Sequence, residues 1–302
     1  MAFLLLIGGV ESNLGPTRMN STINMGLVNA RSEVNKSALI HDMINENRLD
    51  LLAVTDTWVY EDSPNVHKRE SCRPSYCVVH AHRDSLSKAG KRQNGGGVAL
   101  IHREDICVKV IPTTHARPVT FELLLAKVMN STLSMKLAII YRPPNPTSKP
   151  CDFTNELSEL IDSGSLGSCF IICGDLNCPG PVGSKRLVGK ELSELIDGYN
   201  LTQHVKDPTH RSGYILHHIL SSSAGVMIHD VTIDDVGFSD HSLIRCKVDM
   251  DIKRQPIVRA SFRNWKKLNL DTFKQRIRLS SAFTEPATTA EEFAGQLETD
   301  IQ

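Results

Sequence analysis

The chain has 302 residues, 40% of them hydrophobic, so it can bury one large α/β core or at most two modest ones. Lysine plus arginine and aspartate plus glutamate both number 34, which excludes the overall positive field that drives nonspecific nucleic-acid binding. Any contact with DNA must therefore come from a local basic patch.

Near its amino terminus the chain has an apolar run, from Phe3 to Val10, that is too short to span a bilayer. No basic residue precedes this run, which argues against a signal peptide. The eight cysteines show neither the paired spacing of a zinc site nor the density of a secreted disulfide scaffold. We therefore expect a protein inside the cell, in the nucleus or the cytoplasm, without a membrane partner.

From Met25 onward, strand-like apolar runs alternate with amphipathic helical patterns, which is typical of an α/β sandwich. In chain order, the patterns predict strands at residues 25–28, 49–54, 95–101, 119–129, 134–141, 169–173, 215–221, 226–236 and 242–248. Helices are predicted at residues 36–45, 153–161 and 191–199, and one helix at 271–279. Because the composition changes after Asp249, we expect a domain boundary near residue 250.

The clearest local signal for chemistry lies at residues 171–177, where an apolar strand runs directly into Gly174 and Asp175. Asp175 and Asn177 are two residues apart and can point to the same side of the chain. A carboxylate suits a hard cation such as Mg²⁺, and a nucleophilic water needs a base and a hydrogen-bonding partner. Taken alone, the motif is equally consistent with a turn in which both side chains bond backbone groups.

A second signal lies at residues 237–241, where Asp240 and His241 precede an apolar strand. An Asp-His step can supply a metal ligand together with an imidazolium that stabilises phosphate charge. Taken alone, a histidine at the start of a strand is more often a structural hydrogen bonder.

Six short motifs between Met25 and Val248 occur in the order of one known family. They are Asn29-Ala30-Arg31, Thr55-Asp56-Thr57-Trp58, Tyr141-Arg142-Pro143-Pro144, Gly174-Asp175-Leu176-Asn177, Asp207-Pro208-Thr209-His210 and Ser239-Asp240-His241. In this order they resemble the endonuclease/exonuclease/phosphatase superfamily. More narrowly, they are similar to the apurinic-type endonuclease domain of LINE-like (non-LTR) retrotransposons. Each motif is weak by itself, but six in the same order make coincidence a poor explanation.

The resemblance implies a four-layer α/β sandwich, with two mixed β-sheets face to face and helices outside. It implies nicking of a phosphodiester bond in duplex DNA, with Mg²⁺ as the cofactor, Mn²⁺ as the alternative ion and no small-molecule organic cofactor. The domain would span residues 25–250. It would lie between a flexible N-terminus at residues 1–24 and a partly helical linker at 251–302 that leads toward a reverse transcriptase.

The resemblance also implies roles for individual residues. Asn29 and Asp56 would help to build the metal site, and Asp240 would stand near the metal. Asp175 would orient or deprotonate the attacking water, and Asn177 would assist it.

Four more residues carry over from the family's motifs. Tyr141 would contact the scissile phosphate, and His241 would stabilise the charge that develops on it. Thr209 and Ser239 would support the site through hydrogen bonds.

Two positions depart from the family's pattern. The family has glutamate where this chain has Asp56, whose carboxylate reaches about 1.5 Å less and suits the strict geometry around Mg²⁺ less well. The family has aspartate at the position of His217, where it pairs with the catalytic histidine. Such an acid is worth about 10⁴ in rate in the serine-protease template, whereas a histidine would repel a protonated His241. We therefore predict a protein that folds normally but cleaves poorly.

The amino-terminal segment carries a weaker resemblance. Residues 8–16 are similar to a ribosome-skipping peptide found ahead of this domain in some LINE elements, but Leu14 replaces a proline of that motif. We therefore expect skipping to be weak or lost.

Two other functions remain open at the level of sequence. One is a phosphatase of the same superfamily, since substrate choice lies in loops rather than in the fold. The other is a noncatalytic nucleic-acid binding module that keeps the groove but not the chemistry.

Overall fold

A computed structural model of the chain describes residues 22–70, 74–83, 95–112, 118–129, 134–144, 149–180, 187–222, 225–250, 270–285 and 287–301. The chain divides into two compact units, residues 1–253 and 254–302. The ribosome-skipping-like motif at residues 8–16 lies outside the described residues. So do residues 251–269, at the start of the expected linker. No helix among the described residues is long and apolar enough to cross a membrane.

The first unit contains two six-stranded sheets. In spatial order, the strands of the first sheet are β11 (Val226–Asp234), β12 (Leu243–Met250), β1 (Ile23–Asn29), β2 (Leu51–Thr55), β4 (Val98–Arg103) and β3 (Tyr76–Ala81). Those of the second sheet are β5 (Cys107–Val110), β6 (Glu122–Met129), β7 (Ser134–Tyr141), β8 (Phe170–Asp175), β10 (His217–Ser222) and β9 (Leu201–Gln203). The pairs β1–β2 and β7–β8 are parallel and the other described pairs are antiparallel, so both sheets are mixed.

The helices of this unit are α1 (Ser37–Glu46), α2 (Asn65–Glu70), α3 (Pro150–Asp162) and α4 (Lys190–Gly198). Alternate strand residues of both sheets, such as Leu27 and Ile171, form one apolar cluster between the sheets. The opposite face of the first sheet packs against Ile40 and Ile44 of α1. That of the second sheet packs against α3 and α4, for example at Phe153. The layers are therefore helix, sheet, sheet and helix, which confirms the expected four-layer sandwich.

The second unit contains three helices, α5 (Leu270–Arg278), α6 (Ser281–Thr284) and α7 (Ala290–Ile301), so the prediction of one helix in the tail was wrong. The start of α7 carries a capping signal that the prediction overlooked. The Thr289 hydroxyl accepts a hydrogen bond from the backbone N–H of Glu292, as expected of a threonine followed three residues later by glutamate.

Strand ends from both sheets meet at one edge of the sandwich. The parallel pair β1–β2 ends at Asn29 and Thr55, and the parallel pair β7–β8 ends at Tyr141 and Asp175. Strand β10 runs antiparallel to β8 and begins at His217, directly opposite Asp175. The topology therefore delivers polar side chains from five strands to one region.

Candidate active site

Asp175 lies at the centre of this edge and is buried. Its Oδ2 accepts a hydrogen bond of 2.8 Å from Nδ2 of Asn29, which joins the carboxyl ends of strands from the two sheets. Its Oδ1 accepts one of 3.2 Å from the backbone N–H of Asn177. Burial raises the pKa of Asp175 to about 7, against the effect of the bonds from Asn29 and Asn177. The charge of Asp56 raises it further.

Gly174 allows Asp175 to reach this position. Its φ is 147°, and a Cβ built on it would lie 1.8 Å from the carbonyl oxygen of Ile140 on the neighbouring strand β7. Only a residue without a side chain permits this close approach of the two backbones.

Asp56 follows strand β2 in a left-handed conformation, with φ of 56°, and is buried. Its Oδ1 accepts a hydrogen bond of 2.6 Å from the backbone N–H of Gly96. Burial, followed by the charges of Asp56 and Asp175, raises the pKa of Tyr141. Asp56 is thus coupled by charge to Asp175 and Tyr141, and the phenol of Tyr141 stays protonated as a hydrogen-bond donor.

His217 and His241 form a buried pair beside Asp175. His217 Nε2 lies 2.8 Å from His241 Nδ1 and 3.8 Å from Asp175 Oδ2. Burial, and next the charge of His241, lowers the pKa of His217 well below its usual value. Burial and the charge of His210 lower the pKa of His241 to about 4, although Asp240 acts in the opposite direction. Both imidazoles are therefore neutral at pH 7.

Asp240 lies at the open side of the site. Its Oδ2 is 2.6 Å from an Arg31 guanidinium nitrogen and 3.3 Å from His210 Nε2, and its Oδ1 is 3.8 Å from His241 Nε2. Burial acts to raise the pKa of Asp240, but its own backbone amide and the charges of His241 and Arg31 lower it in net. Asp240 is consequently a carboxylate at pH 7, with three nitrogen-bearing side chains around it.

Two hydroxyl groups hold the backbone of the site together. Thr209 Oγ1 accepts hydrogen bonds of 3.0 and 3.1 Å from the backbone N–H groups of Leu216 and His217. Ser239 Oγ donates to the backbone carbonyl of Asn29 at 2.8 Å and accepts from the backbone N–H of His241 at 3.2 Å. The Ser239 bonds fix His241 relative to strand β1, and the Thr209 bonds hold the start of β10, where His217 lies.

The side chain of Asn177 points to the neighbouring loop. Its Nδ2 donates a hydrogen bond of 2.6 Å to the carbonyl oxygen of Arg142, and its backbone φ is 45°. Asn177 also donates its backbone N–H to Asp175, and both its backbone and its side-chain amide act to lower the pKa of that carboxyl group.

Comparison with known proteins identifies the fold. Residues 135–245 match the family model described as endonuclease-reverse transcriptase. No curated protein matches the sequence. The chain has the endonuclease/exonuclease/phosphatase fold. This confirms the resemblance that the six motifs indicated.

Several solved structures share this fold at low sequence identity. The catalytic domain of human Nocturnin, with bound sulfate, is 15% identical, with a TM-score of 0.56 over 76% of this chain and 94% of that chain. The endonuclease domain of TRAS1, a telomere-specific non-LTR retrotransposon, is 12% identical, with a TM-score of 0.56 over 76% and 99%. An endonuclease/exonuclease/phosphatase family protein from Bacteroides thetaiotaomicron is 12% identical, with a TM-score of 0.53 over 77% and 99%.

In this endonuclease/exonuclease/phosphatase fold, direct hydrogen bonds or close contacts connect most of the expected site residues. Asn29 contacts Asp175, Asp175 lies near His217, His217 contacts His241, and His241 lies near Asp240. Asp56 and Tyr141 are coupled to Asp175 by charge.

Two residues that contact Asp240, His210 and Arg31, were not predicted as site residues. His210 stands in a motif that was recognised, but only its neighbour Thr209 received a role. An isolated antiparallel β-bridge pairs the backbones of His210 and His241, and the centroids of the two rings lie 4.5 Å apart. Arg31 likewise ends a recognised motif, and the ion pair with Asp240 spans two distant parts of the chain.

Proposed function

We propose that this chain is a divalent-metal-dependent endonuclease of the retrotransposon type, which nicks a phosphodiester bond in duplex DNA. The observation that carries the proposal is the hydrogen bond between Asn29 and Asp175, which ties the two sheets together beside His241 and Asp56. An amide, two carboxylates and an imidazole at one point suit phosphate-ester hydrolysis better than a purely structural role.

The donor set fits a hard divalent cation. Asp56 and Asp175 are both buried, and the charge of Asp56 raises the pKa of Asp175. A divalent cation bound beside them would relieve this repulsion. Carboxylate and amide oxygens are the ligands that Mg²⁺ prefers, and Mn²⁺ accepts the same set. Asn29, Asp56 and Asp240 would hold the ion, which supplies charge neutralisation for the phosphate when bound.

The remaining groups act on the water and the phosphate. Asp175 accepts a hydrogen bond from the backbone N–H of Asn177. Its carboxylate would orient the attacking water and accept its proton. Tyr141 would donate a hydrogen bond to the phosphate, because its raised pKa keeps the phenol protonated. His241 would donate a second bond through Nε2.

A basic cleft beside the site suits a nucleic-acid strand. Its volume is about 540 Å³, and its lining includes Arg31, Lys36, Arg211 and Trp58. Trp58 is 40% exposed and offers an aromatic face to an unstacked base. Arg31 and Lys36 lie 5 residues apart, and Arg211 comes from a distant part of the chain. Together they supply the local basic patch that a chain with no net charge needs.

Two features support reduced activity. His217 stands where an acid would favour a protonated His241, and the pKa of His241 is instead lowered to about 4. Asp56 is committed to the backbone N–H of Gly96 and is shorter than glutamate. A neutral His241 stabilises phosphate charge less than an imidazolium does.

The test is nicking of supercoiled plasmid by purified protein with Mg²⁺ or Mn²⁺, beside an Asp56→Glu, His217→Asp double variant. We expect slow conversion to open circles that EDTA abolishes, and faster conversion by the double variant. Phosphate release from soluble monoesters without nicking would favour a phosphatase instead. Salt-sensitive, EDTA-insensitive DNA binding without nicking would favour a binding module.

A further inference from the structure

Glu122 joins the two sheets through its side chain. It begins β6 directly opposite Tyr141 on β7, so its backbone lies in the second sheet. Its carboxylate forms an ion pair of 2.5 Å with Arg83 Nε and accepts a hydrogen bond from the backbone N–H of Gly97, which precedes β4 of the first sheet. Arg83 Nη1 also donates to the carbonyl oxygen of Gly95 at 3.3 Å. The pair of Arg83 and Glu122 therefore holds both ends of a short glycine run.

This glycine segment, residues 95–97, in turn contacts Asp56. The backbone N–H of Gly96 donates a hydrogen bond of 2.6 Å to Asp56 Oδ1. The carbonyl oxygens of Gly96 and Gly97 accept two further bonds, of 2.9 and 3.2 Å, from the backbone N–H groups of the two residues that follow Asp56. Three hydrogen bonds thus connect the glycine segment to the loop that carries Asp56.

The ion pair packs directly against Gly96. The φ of Gly96 is 87°, a conformation that residues with a side chain rarely adopt. A Cβ built on it would lie 2.6 Å from both Arg83 Nε and Glu122 Oε1. The pair therefore lies against the same backbone that donates the hydrogen bond to Asp56.

Arg83 also offsets negative charge in this part of the site. Burial raises the pKa of Glu122 and the charge of Asp56 adds to this effect, whereas the charge of Arg83 acts to lower it. Burial likewise raises the pKa of Tyr141, to which the charge of Glu122 contributes in the same direction. Glu122 is thus coupled by charge to both Asp56 and Tyr141, with Arg83 as its counter-ion.

We propose that Arg83 and Glu122 are positioning residues, which hold the Asp56 carboxylate in the direction that metal binding needs. This role rests on the proposed function, in which Asp56 helps to hold the ion. Because Asp56 Oδ1 is bonded to Gly96, the direction of its Oδ2 depends on where the glycine segment lies. Residues that orient a metal ligand in this way are commonly worth about 10- to 100-fold in metal affinity.

The test is Mn²⁺ binding to the full chain without DNA, measured from the loss of the free-ion signal in electron paramagnetic resonance. Asp56→Asn identifies the binding that belongs to this site. The test variants are Glu122→Gln, Arg83→Met and the double variant. Because both residues hold one segment, we expect each single variant to bind about tenfold more weakly, and the double variant no more weakly than the weaker single.

The single variants separate positioning from a simple effect of charge. Glu122→Gln removes a negative charge near the ion and Arg83→Met removes a positive one, so charge alone would weaken binding in the first and strengthen it in the second. In the double variant the two effects of charge would cancel. Tighter binding by Arg83→Met, or wild-type affinity in the double variant, would overturn the proposal.

Arg103→Gln is the matched control. Arg103 pairs with Asp50 at 2.8 Å at the opposite end of strands β2 and β4, away from Asp56. Its Mn²⁺ affinity should equal that of wild type, and circular dichroism should show all variants folded.

Hydrogen exchange distinguishes failure of this role from failure of the proposed function. The amides of Thr57, Trp58 and Gly96 should exchange about tenfold faster in the Arg83 and Glu122 variants than in wild type, and at unchanged rates in Arg103→Gln. Unchanged exchange in the former variants would overturn the role of the pair. If wild type binds no Mn²⁺, the proposed function is wrong, and exchange alone then decides whether the pair holds the Asp56 loop.

Discussion

His217 Nε2 lies 2.8 Å from His241 Nδ1, with the two rings inclined by only 10°. A hydrogen bond between two ring nitrogens requires a proton on one and a lone pair on the other. At most one of the two rings can therefore be protonated while this bond exists, and His217 Nδ1 has no hydrogen-bond partner in the part of the chain that the structure describes. This pairing replaces the acid-histidine pair that the family resemblance implies.

Replacing His217 with aspartate should raise both the pKa of His241 and the nicking rate. A carboxylate beside Nδ1 favours the imidazolium, which stabilises charge on the phosphate. We expect at least about a tenfold gain in the single-turnover rate, with an upper limit near the 10⁴ of the serine-protease template.

His217→Asn is the control for this change, because asparagine has the size of aspartate without its charge. If asparagine accelerates nicking as much as aspartate, the effect comes from space around His241 and not from charge.

Lengthening Asp56 to glutamate should lower the Mg²⁺ concentration needed for half-maximal nicking by several-fold. The longer arm would reach an ion at this site directly, as ligand geometry around Mg²⁺ demands. The left-handed φ of 56° disfavours glutamate relative to aspartate, so the free energy of unfolding should fall by about 1 kcal/mol. Metal titrations of nicking and urea denaturation measure the two effects. An unchanged Mg²⁺ requirement would show that the carboxylate of Asp56 binds the backbone N–H of Gly96 and does not bind the metal.

Gly174→Ala should destabilise the fold by more than about 3 kcal/mol or prevent folding. The added Cβ would lie 1.8 Å from the carbonyl oxygen of Ile140, and neither strand can move without disturbing the core. Gly198→Ala is the matched control, because nothing lies within 4 Å of its Cβ at the end of α4. That change should be neutral or stabilise by up to about 1 kcal/mol in urea denaturation. Equal stability of the two variants would contradict the close approach of β7 and β8.

The stability of the protein should fall below pH 6.5, in part because of His218. Burial lowers the pKa of His218 from 6.5 to about 3, so the unfolded chain binds a proton that the folded chain excludes. This contribution to stability is complete above pH 6.5 and is lost as the pH falls toward 3. His218→Gln should reduce the loss in unfolding free energy between pH 7.5 and 5.5 by about 1.4 kcal/mol. An identical pH dependence of wild type and variant would refute this assignment.

The sequence predicted the strands that carry long apolar runs. Strand β7 has the bounds that were expected, 134–141. Strand β8 was expected at 169–173 and runs from Phe170 to Asp175, so it includes the catalytic candidate at its end. Strands β3, β5 and β9 were missed, and all of them lie at sheet edges. Strand β5 is mostly exposed and β9 has three residues, so they depend on pairing with a neighbour and show no periodicity of their own.

The candidate site was predictable where residues stood in motifs and not where the fold alone brings them together. Asp175 and His241 each follow or precede an apolar strand, and local pattern indicates them. The contact of Arg31 with Asp240 joins residues 209 positions apart, and no local signal reveals it. His210 lay within a recognised motif, but its neighbour His241 comes from another part of the chain.

The most direct test of the account is the Mg²⁺-dependent nicking rate of Asp175→Asn in the His217→Asp background, where activity should be easiest to measure. Asparagine keeps the shape of the buried carboxylate beside Asn29 but cannot accept a proton from water. We expect the rate to fall by about 10² or more, with the variant still folded. Nicking at the rate of the parent protein would contradict the central claim that Asp175 acts on the attacking water.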